Sequence, residues 1–367
     1  MPLRTCVCCS FTALVLSLPA GCSRRADTPA QKPKMTARSP VPPNRARHAT
    51  NLTRDSFHQM DVDIHGDSVV WVDLRHNTKE EWRRELCLHQ PCISDIYLHD
   101  LRTGETRRLT ETKTWKVVPQ VRGDHVMWQE HRSQDDYADE RTVVKDLSTG
   151  EETVLKEGHS WRLLPGGKVV FVRGGIHMMD LKTSEVTELV AEKRGRHARM
   201  SYPDASGEYV IWLQEYLASG RAAERIHAFN IRSKEEVRLA KHRGEGSVPR
   251  ISEDAIVWVE VDVEVIKPTG RGARRSTYGV CLQELPDGEV RTVASSPRQL
   301  TCPQIDARRV TYVANFSYEV FDTMTGKTTK ITPITSCHPY RGLKISGSRV
   351  AWVDGGDVNS LDLEPRP

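Results

Sequence analysis

The sequence predicts an all-β chain folded as a seven-bladed β-propeller of four-stranded antiparallel blades, on the strength of two recurring motifs. The first appears seven times: GDSVVWVD (66–73), GDHVMWQE (123–130), GGKVVFVR (166–173), GEYVIWLQ (207–214), EDAIVWVE (253–260), ARRVTYVA (307–314) and GSRVAWVD (347–354). Each is a turn, a β-rich run centred on an aromatic, and a polar exit. The aromatics Trp71, Trp128, Phe171, Trp212, Trp258, Tyr312 and Trp352 recur at intervals of 40 to 57 residues. A period of this length built from strands alone is the signature of propeller blades. The Val, Ile, Trp and Thr runs carry no 3.6-residue period, which excludes helical repeats.

The second motif follows the first: DLRTGETRRL (100–109), DLSTGEETVL (146–155), DLKTSEVTEL (180–189), NIRSKEEVRL (230–239), ELPDGEVRTV (284–293) and DTMTGKTTKI (322–331). Thr-Gly before a charged residue suits a tight hairpin, with Gly104, Gly150, Gly288 and Gly326 available for positive φ. Each blade is therefore a meander whose last two strands meet at this turn. The seventh copy ends at DLEPRP (362–367) without a final strand, and HATNLTRDSF (48–57) resembles the segment RRLTETKTW (107–115) that closes blade one. The expectation is that this N-terminal strand completes the last blade and shuts the ring, protecting its sheet edge. Six blades and a separate hairpin is the alternative.

Together the motifs resemble the TolB-like propeller repeat of bacterial envelope proteins, best in DIYLHDLRTGETRRLT (95–110) and VPQVRGDHVMW (118–128), and the likeness extends over roughly residues 50–367. TolB carries an additional α/β domain before its propeller, for which this sequence leaves no room, so its Pal-binding role is not carried over. A propeller is a platform for many functions, and the repeat predicts architecture rather than activity.

Residues 1–22 read as an export signal: Arg4, an apolar stretch from Phe11 to Leu18, and LPAGC, which resembles the lipobox whose cysteine, here Cys22, becomes the lipidated N-terminus. Plain secretion is the alternative, since Pro19 stands where an aliphatic residue is usual. Ser23 is not the Asp that retains many lipoproteins in the inner membrane, so the resemblance implies the outer membrane. Residues 23–50, with five prolines, read as an extended tether, and residues 51–367 as the propeller. Eight of the 53 Lys and Arg but one of the 49 Asp and Glu fall in residues 1–50, leaving 45 basic and 48 acidic residues beyond. The formal charge of +4 thus belongs to the tether, which suits an anionic membrane surface, and the propeller has no basic field pointing to nucleic acid.

Cys87 and Cys92, in CLHQPC, are disulfide candidates, as are Cys302 and Cys337, each just before the first strand of neighbouring blades. A zinc site at Cys87, His89 and Cys92 lacks a fourth ligand, so neither metal nor cofactor is expected.

The predicted insertions all fall in second-to-third-strand loops: 74–94, 131–140, 214–224 and 261–276. They gather on one face, where a scaffold carries recognition. The binding candidates there are Arg75, Trp82, Arg83, His131, Arg132 and Tyr137, joined by Trp115 and Trp161 before the inner strands of blades two and three and by His338 and Tyr340. Trp, Tyr and Arg are frequent interface anchors. No GxSxG, HExxH, Walker or dinucleotide-binding motif is present, so no catalytic residue is assigned. The expectation is a noncatalytic envelope propeller that binds a protein or surface polymer through this face, as a monomer. The rival is a polysaccharide lyase or hydrolase with His131, His197, His242 and His338 converging over the channel.

Overall fold

The computed structural model describes residues 49–54, 59–77, 93–131, 140–192, 198–218, 221–237, 239, 248–266, 273–333 and 343–364. They form seven four-stranded antiparallel sheets and no helix. The blades span 59–108, 115–155, 159–190, 198–237, 250–296, 300–333 and 344–362. Within each, consecutive strands pair in order, and the first strands touch blade to blade until Lys344–Ser346 reaches Gln59–His65. The ring is closed as expected. Thr50–Asn51 pairs with Asp357–Asp362, in the register Thr50 to Ser360 and Asn51 to Asn359, and supplies the fourth strand of blade seven. Asp357 locks this clasp by accepting hydrogen bonds from Asn51 Nδ2 (2.8 Å) and Thr53 Oγ1 (3.0 Å).

The repeated aromatics explain the packing. Each is buried against the preceding blade: Trp128 among Val70 and Ile96 of blade one, Trp258 among Ile211 and Leu213 of blade four, Trp352 beside Val313 and Val320 of blade six. Trp71 does the same across the closure, beside Ala351 and Val358. A sheet covered on both faces buries both sets of alternating side chains, which is why these segments read as continuous apolar runs.

A second device ties the turn-bearing face together. The residue ending a blade's first strand accepts a hydrogen bond from a backbone N–H in the next blade's first turn: His65 Nδ1 from Gly123 (3.1 Å), Ser206 Oγ from Glu253 (2.7 Å), Ser252 Oγ from Ala307 (3.0 Å), Asp306 from Gly347, and Ser346 Oγ from Gly66 (2.9 Å). The Thr-Gly turns on the same face are capped by the first residue of their motif. Asp100 Oδ1, for example, accepts from the N–H groups of Arg102 (2.8 Å) and Thr103 (2.9 Å), while Gly104 takes φ +76°. Gly288 departs from the expectation: it does not adopt positive φ, and blade five's turn contains a cis Leu285–Pro286 bond.

Two predicted loops are strands. Blade four continues as Tyr209–Ala218 against Arg221–Asn230, and blade five as Ala255–Ile266 against Ala273–Glu284. The sequence Val-Glu-Val-Asp-Val-Glu-Val-Ile (259–266) alternates with period two, so the insertion extends the hairpin as a ribbon rather than leaving the sheet.

Candidate functional site

Two regions concentrate functional chemistry: the face bearing the second-to-third-strand connections, and the channel between the first strands. On the face, Arg75 is held at the base of the blade-one connection. Its guanidinium donates to Asp73 at 2.6 and 2.9 Å and lies 4.4 Å over the Tyr97 ring. Burial raises the Asp73 pKa, but the hydrogen bonds from Arg75 and Trp71 outweigh it and hold the carboxyl below the usual range. Trp115 opens the first strand of blade two and pairs across it with His131, their rings 4.9 Å apart. Burial lowers the His131 pKa, favouring a neutral ring. Trp161 lies buried against Phe171, with ring centroids 4.1 Å apart, and fills space within the blade-two to blade-three core.

The face also carries a feature the motifs gave no sign of. The two-residue turn of blade six, Asn315–Phe316, has φ of +49° and +58°, and Phe316 is 63 % exposed. Glycine is the usual second residue of such a turn, because a side chain there is strained.

Trp82, Arg83, Arg132, Tyr137, His338 and Tyr340 lie outside the described residues, as do His197 and His242, the lipidation candidate Cys22, and Cys87, Cys92 and Cys337. Cys302 is half-buried, its thiol pushed up by burial. Cys281 is buried, and burial with the nearby Glu260 (3.7 Å) pushes its thiol up to about 11. Among the described residues no group of three or more His, Cys, Asp and Glu is arranged to hold a metal ion.

The channel is built by register. Asp63, Gln120, Arg162, Asp204, Arg250, Gln304 and Lys344 each sit opposite the residue preceding the repeated aromatic of their blade. In five blades a bulge precedes this position, with a non-glycine residue at positive φ two places before it: Asp61, Val118, Ser160, Tyr202 and Cys302. Bulges re-aim the side chain that follows. Three of the aimed side chains reach the next blade. Asp63 accepts from Val121 N (3.1 Å) and Arg122 Nη1 (2.7 Å); Gln120 Oε1 accepts from Leu163 N (3.0 Å); Arg162 Nε donates to Asp204 Oδ1 (3.1 Å). The ring with Arg122 thus sets four cations against two carboxylates. The signal was available as a charged or amide residue eight places before six of the aromatics and nine before Phe171, but only strand register makes it a ring.

No family model matches the chain, and no curated protein matches it. Solved structures are similar to it in fold. An oligogalacturonate lyase in complex with manganese is 16 % identical, with 87 % of this chain and 93 % of that one covered at a TM-score of 0.53. The β-propeller domain of the Trilobed protease from Pyrococcus furiosus is 12 % identical, covering 84 % and 96 % at 0.54. TolB from Acinetobacter baumannii is 14 % identical over 75 % of this chain and 61 % of its own, at 0.39, and the neighbours also include a TolB from Agrobacterium tumefaciens. The class of protein is thus a seven-bladed propeller.

Proposed function

We propose that this chain is a noncatalytic propeller of the bacterial cell envelope, exported and anchored by lipid at Cys22, that holds a surface polymer on the face bearing the second-to-third-strand connections. The observation that carries the reading is the contrast between the faces. One is sealed by capped turns that repeat from blade to blade. The other bears the long connections of blades one and two, the ribbons of blades four and five, and the exposed, strained Phe316. A strained aromatic at an exposed turn is retained at a cost to stability, which favours a role in contact. Flat aromatic surface suits sugar rings.

The alternative is a lyase or hydrolase acting on such a polymer, a reading favoured by the likeness to oligogalacturonate lyase, which is one of fold. Cosedimentation of the full-length protein with purified envelope polysaccharide separates the two. Phe316→Gly is expected to weaken retention at least fivefold while raising stability by about 1 kcal/mol, since glycine relieves the left-handed turn. Shortening of the polymer during incubation would favour the enzyme, and unchanged retention in the variant would remove Phe316 from the account.

A further inference from the structure

Among the described residues, two cations of the channel have no close partner. Asp63 is engaged by Arg122 and Val121 N, and Asp204 Oδ1 by Arg162 and Ala205 N (3.1 Å). Arg250 is left with Asp204 Oδ2 at 4.0 Å, an atom that itself has no hydrogen-bond partner, and the Arg250 Nε is buried without one. No carboxylate of the described residues comes within 4.0 Å of the Lys344 ammonium. Both cations nonetheless occupy the register position that carries Asp63 in blade one and Asp204 in blade four.

Burying charge without a counterion is costly, and a protein selected for stability alone would replace such residues with apolar ones. Their ionisation records the strain. Burial, reinforced by Arg250 and Arg162 against the opposing pull of Asp63, pushes the Lys344 amine down to about 8. Burial and Arg162 push Arg250 down to about 10. A guanidinium offers a planar fork to an oxyanion, and an ammonium offers a compact point charge.

We propose that the channel is an anion-binding site in which Arg250 of blade five and Lys344 of blade seven grip one oxyanion, a phosphate or a carboxylate, across blade six. This site is separate from the polymer contact on the connection-bearing face, and it stands if that reading fails. The group is either a free ion or an acidic substituent of a longer molecule, and the two sources share the same recognition chemistry.

The test is calorimetric titration of the full-length protein at pH 7 and low ionic strength with inorganic phosphate and, separately, with alginate oligomers. Saturable binding of one anion per chain is expected, weakened tenfold or more in Arg250→Gln and in Lys344→Met and unchanged in Phe316→Gly. Phosphate binding assigns a free ion, and binding of alginate alone assigns a polymer-borne carboxylate. The melting temperature of ligand-free Lys344→Met is expected to equal or exceed that of the unsubstituted protein, because the substitution removes a half-buried ammonium repelled by Arg250 and Arg162. Absence of saturable binding by either probe, binding undiminished in both variants, or a lower melting temperature in Lys344→Met would overturn the assignment.

Discussion

Lys344 shows at the scale of one residue how the repeat imposes chemistry. Its position is set by strand register, and the charges around it come from other blades: Asp63, Arg162 and Arg250, with the Cys302 thiol beside them. With its folded pKa near 8 and the ordinary lysine value at 10.5, the unfolded chain binds more protons between those limits. Stability contributed through this residue therefore rises with pH across that window. Below pH 8 both states are charged and the full cost of burying the ammonium is present. The stability advantage of Lys344→Met is accordingly expected to be largest below pH 8 and to shrink as pH approaches 10.5, measured by urea denaturation at stepped pH. A gap that widens with pH would contradict this sign.

At the scale of the element, five first strands carry a bulge before the channel residue, and five end in an acceptor for the next blade. Ser252 illustrates the last of these, its hydroxyl accepting from Ala307 N at 3.0 Å. Ser252→Ala is expected to cost about 0.5–1 kcal/mol, the net worth of such a bond, read from the denaturation midpoint with an unchanged slope. The second strands and the Thr-Gly turns were legible in the sequence because their signals are local: an aromatic among β-branched residues, an Asp before a turn. The bulges were not. Asp61, Val118, Ser160, Tyr202 and Cys302 share a conformation but no side-chain chemistry, since tertiary register forces their φ. The ribbon at 259–266 was visible as alternation, but the charges in 261–276 made it resemble a loop. The candidate site divides in the same way. Trp115 and His131 were found as residues, whereas the charged ring and Phe316 depend on register and backbone conformation.

At the scale of the whole molecule, stability depends on closing the ring. The clasp places residues 50–53 against the last blade's third strand, with Leu52 N donating to Val358 O (2.8 Å) and Val358 N to Thr53 Oγ1 (3.1 Å). Arg349 adds an ion pair to Asp67 across the same junction. Asp357→Ala removes both side-chain anchors and is expected to cost about 2 kcal/mol, with unfolding faster than in the unsubstituted protein. Loss of closure exposes a strand edge, so the variant is also expected to associate on warming, measurable by light scattering.

The proposed binding face is the claim most directly open to measurement. Hydrogen exchange of the full-length protein would be followed with and without purified envelope polysaccharide. The account predicts protection confined to the connection-bearing end, around Trp115, His131 and Phe316, with exchange unchanged at the Thr-Gly turns of residues 100–104, 146–150 and 322–326. Protection at those turns instead, or no protection with a polymer that cosediments with the protein, would contradict it.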